Sequence, residues 1–184
     1  SPVGSEALFH LGEALERAGK REDALKAYEQ VVQRAGKFEN DPWPEKGGAQ
    51  LVRFLRPRLE AALKADDDFE LINLFHRNGP FADRLYAGTE LLLKVAEAHR
   101  RLGFPIESAR LFQSLIRNSK AETFHEVALM GLGESYLEQK DMRAARAVFE
   151  RYRLQFPVGR FAGQALLGIL TSFEGEGNTA GLVK

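Results

Sequence analysis

The 184 residues carry 26 basic (Lys and Arg) and 26 acidic (Asp and Glu) side chains, a formal net charge of zero, with 44% hydrophobic and 28% charged residues. Such a chain is long enough to bury a sizeable core, and its neutrality argues against a nucleic-acid binder, which needs an excess of basic groups facing phosphate. The absence of cysteine excludes disulfides and thiolate metal sites, and no run of about 18 apolar residues reads as a membrane span.

Ser1-Pro2-Val3-Gly4 reads as an appended remnant or a disordered lead, without the basic-then-apolar order of a signal peptide. Ser5 is the expected N-cap of a first helix that turns Leu8, Leu11, Gly12 and Leu15 to one face and stops at Gly19. A second helix over 21–34 turns Ala24, Leu25, Tyr28 and Val31 inward. Asp41-Pro42-Trp43-Pro44 cannot continue a helix, because each proline lacks an N–H and restricts its predecessor, so 37–48 is expected as a loop insertion. Trp43 is expected to fold back within this loop over the second helix pair.

Helices over 49–65, with a kink at Pro57, and 69–78 follow, with Asp66 to Asp68 capping the latter. Asn78-Gly79-Pro80 is a stop signal. Helices over 82–102, 106–118, 122–139 and 142–155 come next, ending at Phe156-Pro157, and a last one covers 160–173. The glycine-rich tail 175–184 is expected to be flexible.

One spacing runs through these helices: a small or apolar residue, another twelve positions on, and an aromatic sixteen positions on. It is met in Gly12, Ala24 and Tyr28; in Leu59, Leu71 and Phe75; in Ala96, Ser108 and Phe112; and in Gly133, Ala145 and Phe149. The step from Gly12 to Leu59 is 47 residues, against 37 for each of the next two, and the loop insertion supplies the extra length. A period of this kind predicts stacked antiparallel helix pairs that bury their apolar faces only against neighbours.

Leu129, Leu132-Gly133, Tyr136, Ala145, Phe149 and Pro157 match the tetratricopeptide repeat signature, as do Leu8, Leu11-Gly12, Leu15, Ala24 and Tyr28. The chain therefore resembles that family, with His99 and Ser108 departing from the signature and Arg58-Leu59 standing where the family has Leu-Gly. The resemblance implies an all-α fold: an α-solenoid, or right-handed superhelix, of about nine helices in antiparallel pairs. Its units would be 5–36, a degenerate 49–79, 80–119 and 120–157, with 158–174 a capping helix or half repeat. The phrases Gly131 to Tyr136, Arg153 to Pro157 and Gly163 to Leu167 also resemble repeats of bacterial envelope proteins of the Tol-Pal coordinator and barrel-assembly lipoprotein type. That likeness implies a periplasmic or cell-envelope setting, with the cytoplasm as the alternative.

By the same resemblance, the first helix of each pair lines a concave groove for a peptide or partner helix. Glu13, Glu60, Glu97 and Glu134 follow the small position of each unit, and Phe9, Arg56, Leu93 and Met130 precede them by four residues. Together with Leu137 they form the candidate strip, suited to a protein or peptide with apolar and basic residues. Glu13–Arg17, Glu60–Lys64 and Glu97–Arg101 are also ordinary i,i+4 pairs worth roughly 0.2–0.5 kcal/mol each, the simpler account of those three. Glu134 has only Glu138 at i+4 and ranks first. Family members that clamp a terminal carboxylate use lysine and asparagine where this chain has Phe9, Glu13, Leu93 and Glu97, so that activity is not expected.

Arg53, Arg56, Arg58 and Lys64 are expected on a solvated helix face. His10, His76, His99 and His125 show no metal-ligand spacing, Glu6, His10 and Glu13 sharing a face only weakly, and neither a phosphate loop nor a nucleophile elbow is present. No catalytic residue, metal site or cofactor is expected. The reading is a noncatalytic protein-interaction scaffold; a self-assembly module using the end helices, or an accessory domain of a longer enzyme or secretion component, is the alternative.

Overall fold

The computed structural model describes residues 1–77, 90–117 and 123–177, and among them it has nine helices and no strand. They are α1 (Pro2–Arg17), α2 (Arg21–Val32), α3 (Trp43–Lys64), α4 (Asp68–His76), α5 (Glu90–Arg101), α6 (Pro105–Arg117), α7 (His125–Glu138), α8 (Met142–Gln155) and α9 (Ala162–Gly175). The chain divides into two compact units, Ser1–Tyr86 and Ala87–Lys184. The expected helical stretch 82–89, the stop at Asn78 to Pro80 and most of the tail lie outside the described residues.

In the first unit α1 packs on α2, α2 on α3 and α3 on α4, with α1 also meeting α3. In the second, each of α5 to α9 packs on the next, and α5 meets α7 as α7 meets α9. This is the local construction of an α-solenoid. The twelve-and-sixteen spacing generates it directly. A Cβ on Gly12 would stand 2.6 Å from Tyr28 Cε1, so only glycine admits the ring at that crossing. Phe149 is held the same way on both sides, its ring occupying the space of a Cβ on Gly133 and on Gly168. Ala24, Tyr28, Ala96, Ser108, Ala145 and Phe149 are all fully buried. Ser108 tolerates burial because its hydroxyl donates to the Ala96 carbonyl at 2.9 Å.

The turns within pairs share a second repeated feature. Gly19, Asp66, Gly103 and Lys140 occupy one repeat position and all have positive φ, at 74°, 53°, 80° and 60°. Asp67 and Asp141 then cap α4 and α8, their carboxylates accepting from the Glu70 and Ala144 N–H groups at 3.0 and 3.1 Å.

Four expectations are corrected. Helix α1 begins at Pro2, a proline suited to a first turn whose N–H groups are unbonded anyway; Ser5 lies inside the helix, buried, and is not its cap. The insertion is shorter than expected because α3 starts at Trp43, with Pro42 as N-cap and Pro44 in its first turn. There the prolines forfeit no helical hydrogen bond. Gly47 lets this helix approach α2, since its Cβ would lie 2.9 Å from Val31 Cγ1. The helix runs on through Pro57 to Lys64. Trp43 therefore stands on a helix rather than in a loop, its ring centroid 5.2 Å from that of Phe9 and 5.1 Å from that of His10. Finally, α9 extends to Gly175, and Glu176 accepts a hydrogen bond from Arg146 at 2.8 Å, so the start of the tail is anchored.

Candidate functional site

The candidate strip falls into two groups. Leu93, Glu97, Met130, Glu134 and Leu137 belong to the second unit, and Phe9, Glu13, Arg56 and Glu60 to the first. In the second unit α5 and α7 present their residues side by side, and the structure adds Arg100 between them. Its guanidinium spans both carboxylates of α7, Nη2 lying 3.2 Å from Glu134 Oε2 and Nη1 donating to Glu138 Oε1 at 2.9 Å. Glu134 has no partner on its own helix, as its i+4 neighbour implies, but α5 supplies one across the interface. Glu97 is bound locally, to Lys94 at 3.2 Å and to Arg101 at 4.0 Å.

These groups rim a cavity of about 230 Å³ lined by Glu97, Arg100, Phe112, Val127, Met130, Gly131, Glu134 and Phe161. Gly131 lets the Phe112 ring close in on α7 at one wall, because a Cβ there would collide with that ring. Burial holds the Glu134 carboxyl above the ordinary glutamate range; Arg100 opposes this, while Glu138 and Glu97 reinforce it. The apolar half of the strip is largely core. Leu93 and Met130 are buried, at 5% and 7% exposure, and Leu137 packs against the cluster around Phe149 and Tyr152.

In the first unit Phe9 is likewise buried, between Tyr28 and Trp43. Glu13 meets His10 Nδ1 at 2.8 Å, and Arg17 donates to the Glu13 backbone carbonyl instead of its carboxylate. Arg56 is half-buried and Glu60 exposed; Glu60 and Lys64 form no ion pair among the described residues. The basic cluster is not simply solvated, since Arg53 binds both Glu16 oxygens, at 2.6 and 2.5 Å, and Arg58 binds Glu70 at 3.2 Å.

A first-unit cavity of about 320 Å³ is lined by Glu16, Gly19, Arg21, Arg53 and Phe54, with Arg21 and Arg53 lying 5.1 and 5.0 Å from the Phe54 ring centroid. A second, of about 470 Å³, adds Glu13, Arg17, Tyr28 and Gln50. Tyr28 is pushed up to about 12, by burial first and then by Glu16 and Glu13, and stays a neutral donor to Glu16. Sequence reasoning named Glu13, Tyr28 and Arg53 but missed this pairing, because Glu16 and Arg53 are 37 positions apart and no local pattern joins them. Their charges neutralise one another. The cavity under Glu134 combines apolar walls with a partly buried carboxylate that Arg100 bridges.

No group of three or more His, Cys, Asp or Glu side chains able to hold a metal occurs among the described residues. No described helix is long and apolar enough to cross a membrane. Two family models, each described as tetratricopeptide repeat, match the chain over residues 6–37 and 93–160. No match was found among curated proteins.

Proposed function

The chain belongs to the tetratricopeptide repeat family, whose repeats mediate protein–protein interaction, and from that premise we propose that it is a noncatalytic scaffold holding a partner segment against the α5–α7 face of its second unit. The cavity under Glu134 carries this reading. An aliphatic side chain of the partner would fill the space beside Phe112, Val127 and Met130, and a basic one would meet Glu97 and Glu134 at the rim. The cation would repay the desolvation that Glu134 bears in the free protein. The likeness of Gly131 to Tyr136 and of Arg153 to Pro157 to envelope repeats makes a bacterial envelope assembly the proposed setting, to be decided by fractionation of the native cell.

The test uses a synthetic peptide pool sorted into basic–aliphatic and acidic–aliphatic members. Basic–aliphatic peptides should bind, and Glu97→Lys with Glu134→Lys should weaken them at least tenfold, about 1.4 kcal/mol, with helical circular dichroism unchanged. Binding that the double variant leaves intact, or a preference for acidic members, defeats the proposal. A second reading is self-assembly through the end helices. It is favoured by the exposure of Val3 (69%) and Leu11 (49%) on α1 and of Leu166 (43%) and Leu167 (62%) on α9.

A further inference from the structure

Neutral overall charge conceals a strong separation of charge within the second unit. Helix α7 carries Glu126, Glu134 and Glu138 and no Lys or Arg, whereas α8 carries Arg143, Arg146, Arg151 and Arg153 against Glu150 alone. Arg143 and Arg146 are taken up by Glu176, at 3.5 and 2.8 Å. Arg151 and Arg153 are exposed and make no ion pair among the described residues, and the same holds for Arg117 at the end of α6.

Topology gathers these at one end of the unit. Gln139 after α7 donates to the Pro105 carbonyl at the start of α6, and Tyr152 late in α8 donates to Glu126 at the start of α7, so α6 and α8 each run antiparallel to α7 and finish on the same side. The exposed Arg160, whose guanidinium lies 4.5 Å above the Phe161 ring, follows in the α8–α9 turn on that side. Glu126, which meets this turn, is engaged internally, its Oε1 accepting from Tyr152 Oη at 2.6 Å and from the Arg160 N–H at 2.8 Å. Glu150, one turn before Leu154, is the acidic side chain left on the α8 surface there.

Among these arginines stand the two most exposed large hydrophobic side chains described, Leu154 at 84% and Val158 at 96%. Arginine in the last turn of a helix is explained in part by the helix dipole; aliphatic side chains projecting almost wholly into water are not. Neither lines the cavity under Glu134. They protrude from a helix end and a turn, so a rigid protein partner would need matching depressions, whereas a fluid bilayer accommodates any protrusion. We infer that this end of the second unit, comprising Arg117, Arg151, Arg153, Leu154, Val158 and Arg160, docks on an anionic lipid surface. Leu154 and Val158 enter the headgroup region, and the guanidiniums pair with lipid phosphate and carboxylate around them.

Cosedimentation of the full chain with vesicles decides the matter, comparing phosphatidylcholine alone with an equal mixture of phosphatidylcholine and phosphatidylserine. The mixed vesicles should bind the chain, less so as salt rises, and the zwitterionic ones should not. Each basic side chain at such a surface is worth about fivefold in partition, so Arg151→Glu with Arg153→Glu should reduce binding at least about twentyfold. Leu154→Ser with Val158→Ser should reduce it severalfold while leaving every charge in place. All four positions are exposed, and unchanged circular dichroism establishes that the variants fold. Failure to bind the mixed vesicles overturns the inference. So does binding that the Leu154/Val158 variant leaves untouched, and if polyglutamate then competes, the surface is one for an acidic protein. Peptide capture beside Glu134 should survive in both variants, so the two proposals fail independently.

Discussion

Lys140 sits in the left-handed region at a repeat position where Gly19 and Gly103 also stand, with a φ of 60° against their 74° and 80°. A side chain costs roughly 1–2 kcal/mol in that conformation. Lys140→Gly should therefore raise the unfolding free energy, read from urea denaturation, by up to about 1 kcal/mol once the greater freedom of the unfolded glycine is subtracted. The opposite holds at Gly133, whose missing Cβ is the space occupied by Phe149. Gly133→Val overpacks that crossing and should cost about 1–3 kcal/mol in the same experiment. Glu134 gives a pH signature. Its carboxyl is held above the ordinary value by burial, so the native state binds more protons than the unfolded state between the unfolded and folded values. Stability contributed by this group thus declines as pH rises through that interval. Glu134→Gln should abolish this part of the decline, seen as a flatter dependence of the urea midpoint on acidic pH.

At the scale of the element, the helix ends separate what local sequence can encode from what it cannot. Asp141 caps α8 through the Ala144 N–H, and Asp141→Ala should cost about 1 kcal/mol, measured as lost thermal stability. Asp66 to Asp68 were legible as a cap for the same reason: a short acidic side chain before a helix satisfies donors within three residues. Proline was misread at Pro42 and Pro44 because its meaning depends on position, forbidden in a helix interior and harmless in its first turn. Gly47 likewise signals chain reversal in isolation, while its role in α3 is close approach to Val31. Contact with another helix, absent from any local window, decides between the two.

Over the whole molecule the repeat construction governs how damage spreads. Phe149 is wedged between α7 and α9 at Gly133 and Gly168, within the core cluster of those helices. Phe149→Ala should cost about 3–5 kcal/mol, and hydrogen exchange should quicken first in α7, α8 and α9, because each repeat is stabilised only by those adjoining it. If the exposed ends self-associate, light scattering should show a mass rising with concentration that Leu11→Glu with Leu167→Glu suppresses. Without such a rise in the parent chain, self-assembly is discarded. The all-α class and the helix pairing were determined by sequence alone, because the spacing of Gly12, Ala24 and Tyr28, repeated to Gly133, Ala145 and Phe149, records steric fit at each crossing. The tertiary structure decided which side chains remain available: it buried Phe9, Leu93 and Met130, bridged Glu134 to Arg100, and left Leu154 and Val158 in water. Burial and charge pairing between helices depend on residues tens of positions apart, and helical periodicity carries no record of them.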